Sequence, residues 1–136
     1  MNIDKYIKNS FKVYLKEITF ENNPFLDDSD SHLECHDEIK AEFKEEDTID
    51  LNFIRHVTFS PQKSWDLKIV MGAELMINLK KAKDVQWKEI NLAKELKAST
   101  IIDGLISKAS LLISQISSTA APNPIITPPS FIEEED

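Results

Sequence analysis

The sequence predicts an α+β domain: a four-stranded antiparallel β-meander followed by one long carboxy-terminal helix and a proline-rich tail. Two observations carry this reading. Apolar and polar residues alternate with a period of two in three segments between residues 33 and 79, the pattern of strands with one buried face. Beyond residue 79 the apolar spacing lengthens to three and four residues, the stripe of an amphipathic helix.

The first strand is expected at about 10–21, with a less regular pattern. Phe11, Val13 and Leu15 share one phase, whereas Tyr14, Ile18 and Phe20 share the other. A phase change near Lys16-Glu17 suggests a bulge or a strong twist, either of which re-aims the side chains that follow, and a strand with both faces partly covered is the alternative. The two sets are then expected on opposite faces. The stretch Asn22–Ser31, rich in Asn, Asp and Ser, is long enough to carry the chain across a sheet edge.

The next three strands read cleanly. Leu33, Cys35, Asp37, Ile39, Ala41 and Phe43 occupy the odd positions of the second, and Ile49, Leu51, Phe53, Arg55, Val57 and Phe59 those of the third. In the fourth, every odd position from Trp65 to Leu79 is apolar. Gly72 interrupts it and suggests a second bulge or bend. Short turns join these strands at Glu45-Glu46-Asp47-Thr48 and Ser60-Pro61-Gln62-Lys63-Ser64.

The helix is expected from about 91 to 118, with Asn91 as its cap and Leu92, Leu96, Ile101, Leu105, Ile106, Ala109, Leu112, Ile113 and Ile116 as its stripe; a start near Asp84, taking in Trp87 and Ile90, is the alternative. Pro122 and Pro124 forbid its continuation. Residues 1–132 form a single domain, and Glu133-Glu134-Glu135-Asp136 a solvated acidic terminus.

Composition excludes several functions. With 24 acidic and 16 basic residues the net charge is −8, and phosphate backbones need the basic face this chain lacks, so no nucleic-acid partner is expected. Only two glycines, Gly72 and Gly104, are present, too few for a phosphate-cradling loop. A single cysteine fits a reducing compartment. No apolar run approaches the roughly 20 residues needed to span a bilayer, so a cytoplasmic protein is expected.

Three chemical motifs dissolve on inspection. His32, Cys35 and His36 are of metal-ligand type, but on a strand Cys35 faces away from the histidines, which leaves Cys35 to the core and the histidines to solvent. Asp27-Asp28-Ser29-Asp30 lacks the glycine and the bidentate glutamate of a calcium loop. His56, Asp50 and Ser60 lack a strained nucleophile turn and a glycine-built oxyanion site. No catalytic residue, metal or cofactor is expected, and no enzyme.

Lys16-Glu17-Ile18-Thr19-Phe20-Glu21, running into Asn22-Asn23-Pro24, resembles the end of the first strand in the SecB export chaperones. Ala121–Phe131 is similar to the proline-punctuated segment after that family's long helix. The resemblance implies an ATP-independent holdase: a cytoplasmic dimer of dimers that binds unfolded polypeptides in apolar grooves. It also implies docking of the Sec motor ATPase on first-strand acids, here Glu17 and Glu21. The chain departs from the family in its 61–64 loop, which is not acidic, and at the helix start, where Thr100-Ile101-Ile102-Asp103 replaces an aromatic-proline-tyrosine-arginine motif. Some SecB-like chaperones serve toxin–antitoxin pairs, and that role stands beside export.

The physics of such a role is legible without the family. One helix covers one face of a sheet, so apolar surface is left over and a homo-oligomer is expected. Capture needs exposed apolar area, and strong charge keeps a sticky protein soluble. Apolar residues outside the helix stripe are the groove candidates: Tyr14, Phe20, Phe25, Leu26, Ile54, Trp87, Ile126 and Phe131. An adaptor that recognises one folded partner is the reading from a different class.

Overall fold

The computed structural model describes residues 1–26, 30–61, 64–120 and 123–133. Four antiparallel strands, β1 (Lys12–Asn22), β2 (His32–Glu45), β3 (Thr48–Ser60) and β4 (Trp65–Met76), lie in the spatial order β1-β4-β3-β2. The meander therefore covers only the last three strands. β1 pairs with β4 rather than β2, so the chain passes from one edge of the sheet to the other between Asn22 and His32. Asn22 faces Trp65 at the start of β4, and His32 faces Ser60 at the end of β3. Asn23 N–H anchors the crossing by donating to Ser64 O at 2.6 Å.

The two central strands bury the face the alternation marks. Ile49, Leu51, Phe53 and Val57 of β3 and Leu67, Ile69, Met71, Ala73 and Leu75 of β4 are all buried. Their cover is helical. α1 (Leu92–Lys97) lies against β2, and α2 (Thr100–Ser117) against β3 and β4, presenting Ile102, Leu105, Ile106, Ala109 and Ile113 inward.

The single helix is thus two. Asn91 caps α1 as expected, its Oδ1 accepting from Lys94 N at 3.2 Å. The chain then breaks at Ala98-Ser99, and Ser99 Oγ caps α2 by accepting from Ile101 N at 3.0 Å. Short hydroxyl side chains compete with helical hydrogen bonds, so a Ser-Thr pair is a natural break. Asp4 completes it. From a 3-10 turn at Ile3–Tyr6, its carboxylate accepts from Ser99 Oγ and, at 3.0 Å each, from Thr100 N and Thr100 Oγ1.

β1 corrects two expectations. Its register with β4 slips between Leu15 and Glu17, where the phase change places a bulge. Instead of dividing the apolar residues, the bulge reunites them: Val13, Leu15, Ile18 and Phe20 face Ala73, Met71, Ile69 and Leu67. Only Tyr14 turns to the outer face. Gly72 carries no register shift in either pairing. It makes room for Tyr14, whose ring would lie 2.6 Å from an added Cβ.

β4 also ends earlier than the alternation suggests. Ile77 forms an isolated bridge with Ile7, and Leu79 is exposed. Ile3 and Ile7 from the amino terminus join the buried cluster at this end of the sheet.

Two outcomes follow. Burial opposes ionisation of Asp4, but its hydrogen bonds from Ser99 and Thr100 prevail and hold the carboxyl below the ordinary 3.8. A lowered folded-state value means a contribution in place above the unfolded value and lost as pH falls through the folded one. Asp4→Asn should cost about 1 kcal/mol at neutral pH, and the gap to wild type should close below pH 4 in urea titrations. Gly72→Ala should cost about 1 kcal/mol by crowding Tyr14. That cost should vanish in a Tyr14→Ala background, which a double-mutant cycle reads directly.

Candidate functional site

One inward position on β3 is not apolar. Arg55 is fully buried beneath α2, and Asp37 faces it from β2. The sequence signal for this pair is two opposite charges that interrupt the apolar rows of neighbouring strands. The guanidinium grips the carboxylate in a two-point pair, Nε to Oδ1 at 2.7 Å and Nη2 to Oδ2 at 2.6 Å. A planar fork matched to a carboxylate is the strong geometry for such a pair.

The remaining donors of Arg55 reach the carboxy-terminal segment. Nη1 donates to Ser110 Oγ of α2, to Thr127 Oγ1 at 3.0 Å and to Pro128 O at 2.7 Å, while Nη2 donates to Ser130 O at 3.1 Å. Asp37 Oδ2 in turn accepts from Ile132 N at 2.8 Å. At the head of the segment, Ile125 N donates to Ser117 Oγ at 2.8 Å. The tail thus lies in a trough whose floor is a buried ion pair. Phe131 meets Phe53 edge-on at 6.3 Å, and Lys97 sits 4.6 Å over the Phe131 ring while pairing with Glu133 at 3.1 Å. A cavity of about 380 Å³ runs beside it, lined by Ile39, Lys94, Lys97, Phe131 and Ile132 among others.

The eight groove candidates do not share one furrow. Phe20 lies on the helix-facing side against Trp65, which also stacks edge-on with Phe59 at 5.3 Å. Phe25 and Leu26, just past β1, are exposed, Phe25 almost completely at 95%. Tyr14 and Ile54 lie on the opposite face of the sheet, beside Gly72 and Val70, as an apolar island among charges. Trp87 is half-buried between Tyr6 and Phe43. Ile126 points to solvent from the tail at 78% exposure, and Phe131 lies in the trough. A further apolar strip was not anticipated: Leu15 and Ile18, inward-facing at the β1 edge, are exposed because β1 lies outside the helical cover.

Glu17 and Glu21 share the outer face of β1, opposite Val70 and Asp66. Glu17 accepts from Thr19 Oγ1 at 3.1 Å and lies 4.0 Å from Lys68 Nζ. On the same face His32 and His36 bracket Glu34 at 3.0 and 3.3 Å and hold its carboxyl below the usual range. Cys35 turns the other way, half-buried against the core, and burial pushes its thiol up to about 11. His56 pairs at 2.6 Å with Asp66. Among the described residues no three His, Cys, Asp or Glu side chains are grouped to hold a metal ion, and no helix is long and apolar enough to cross a membrane. The aspartate-rich loop at 27–29, the turn residues 62 and 63, residues 121 and 122 and most of the acidic terminus (134–136) lie outside the described residues.

Comparison with known proteins decides the architecture. A SecB-like chaperone from Mycobacterium tuberculosis, solved in complex with a ChAD peptide from the HigA1 antitoxin, matches over 99% of this chain and 96% of its own, with a TM-score of 0.69. The fold is SecB-like. Sequence identity over that match is 10%, and no protein-family model and no curated protein matches the sequence. The SecB-like element order is kept here by apolar periodicity, with few identical residues.

The buried pair makes a sharp prediction for stability. Arg55→Met strands Asp37 without its partner and should cost about 3–5 kcal/mol, because an unpaired buried charge is left behind. Adding Asp37→Leu should recover most of the loss, measured as the urea midpoint of both variants.

Proposed function

We propose that this protein is an ATP-independent holdase that binds unfolded polypeptides and keeps them from aggregating. The observation that carries this reading is a SecB-like fold along the whole chain, combined with apolar side chains that the fold leaves uncovered. Leu15, Ile18, Phe25, Leu26 and Leu111 are exposed in a chain of net charge −8. Burial of apolar area is non-directional, so it suits clients of many sequences. The charge keeps the loaded and unloaded protein in solution. Such a role needs neither a catalytic group nor a cofactor.

Part of the uncovered surface is assigned to self-association. β1 is an edge strand, and its exposed Leu15 and Ile18 favour a homo-oligomer, a dimer or a dimer of dimers. Of the groove candidates, Tyr14, Phe25, Leu26 and Ile126 are then open to clients. We place the protein in the cytoplasm, where its single thiol stays reduced.

Two client classes fit. The antitoxin peptide bound by the mycobacterial protein favours a chaperone dedicated to a toxin–antitoxin pair. The exposed acids Glu17 and Glu21, aligned on one face of β1, favour export through the Sec motor ATPase. The holdase should suppress aggregation of several unrelated unfolded proteins at near-stoichiometric amounts, followed by light scattering. A protein that protects none of them is an adaptor instead. If export is the role, Glu17→Lys with Glu21→Lys should abolish binding to the motor and leave client capture intact.

A further inference from the structure

We propose that the segment Ile125–Glu133 is a detachable occupant of a polypeptide-binding trough, which takes an extended, proline-containing stretch with an aromatic and an acidic residue in its place. The proposal rests on the holdase reading and deepens it by naming where a client segment sits and what it must displace.

The trough reads its occupant mostly through main-chain atoms. Pro128 O, Ser130 O and Ile132 N are the groups bound by Arg55 and Asp37. Any extended peptide offers alternating carbonyl and N–H groups, so such a grip transfers to other sequences. One hydroxyl, Thr127 Oγ1, and one aromatic ring, Phe131, add selectivity. Beyond them Lys97 meets Glu133, a basic rim in an otherwise acidic chain.

The receiving groups belong to the folded body. Arg55 keeps Asp37 and Ser110 when the segment leaves, while its contacts to Thr127, Pro128 and Ser130 and the Asp37 contact to Ile132 pass to water or to an incoming peptide. The segment is held by polar contacts to the trough more than by regular structure. It is neither helix nor strand; Thr127 is buried, Phe131 half-buried, and Ile126 faces solvent. Pro124, Pro128 and Pro129 pre-set an extended backbone, which lowers the ordering cost of the bound form and lets a short segment occupy the trough at all. The tail is therefore placed as an internal competitor: it covers the ion pair when no client is present and yields to a better one.

The test uses the full chain, a tail-weakened variant carrying Thr127→Ala and Phe131→Ala, and a synthetic peptide of residues 123–133. The client is a reduced, carboxymethylated protein that cannot fold. In the wild type, saturation with client should accelerate amide exchange at Ile125 and Ile132, whose N–H groups the body now holds. The variant should bind client about fivefold more tightly, since weakening an occupant raises the competent fraction, and the peptide should reverse that gain. Saturation that leaves both amides protected, with unchanged affinity in the variant, overturns the proposal and leaves the holdase reading standing. If neither protein binds client, the holdase reading fails, and the peptide alone decides the trough. Binding to the variant and weaker binding to the wild type upholds it; no binding to the variant removes it.

Discussion

The two-point pair between Arg55 and Asp37 is the constraint around which the molecule is arranged. Moving a guanidinium and a carboxylate out of water costs several kcal/mol per ion unless every donor and acceptor finds a partner. Here the partners come from β2, β3, α2 and the tail together. An apolar pair at these positions would pack the sheet as well or better, but it would not tell the carboxy-terminal segment where to lie. Arg55 does so by leaving three directed N–H contacts that only hydroxyls and carbonyls satisfy. The residue that looks least suited to a core is the one that orders the outermost part of the chain.

The same economy shapes β1. One inserted residue near Lys16 turns a strand with two apolar phases into a strand with one apolar face. Without it, Ile18 and Phe20 would point to the polar side of the sheet. With it, they continue the row begun by Val13 and Leu15, and Tyr14 alone is left across the sheet, seated over Gly72. The bulge thus sets how much apolar surface lies beside the helices and how much lies on the charged face.

Much of this was legible in the sequence, for identifiable reasons. β3 and β4 are central strands with one face under a helix, so the inward positions from Ile49 to Val57 and from Leu67 to Leu75 are apolar at every step but Arg55. The helix break was hidden because the apolar stripe continues from Leu96 to Ile101 across it; the Ser99-Thr100 pair was the only local sign, and its partner Asp4 is 95 residues away in the chain. Ile3 and Ile7 were too few to show a period. The order of the sheet was half-visible: a long crossing after β1 was expected, but which edge it reached depends on pairing between distant strands. The trough was the least legible, since its recognition runs through backbone atoms that no side-chain pattern records. The groove candidates dispersed for a related reason, as exposure after folding depends on the cover given by α1 and α2.

The distance between Asp4 and its helix partners has a consequence for how the protein is made. Ser99 and Thr100, which Asp4 caps, are translated only after all four strands. Until α2 follows them, the inward rows of β3 and β4 have nothing to lie against. A growing copy therefore carries a bare greasy sheet with an idle 3-10 turn until α2 (Thr100–Ser117) has been made and can cover it. A protein read as a guardian of unfinished chains begins its own life as one of them.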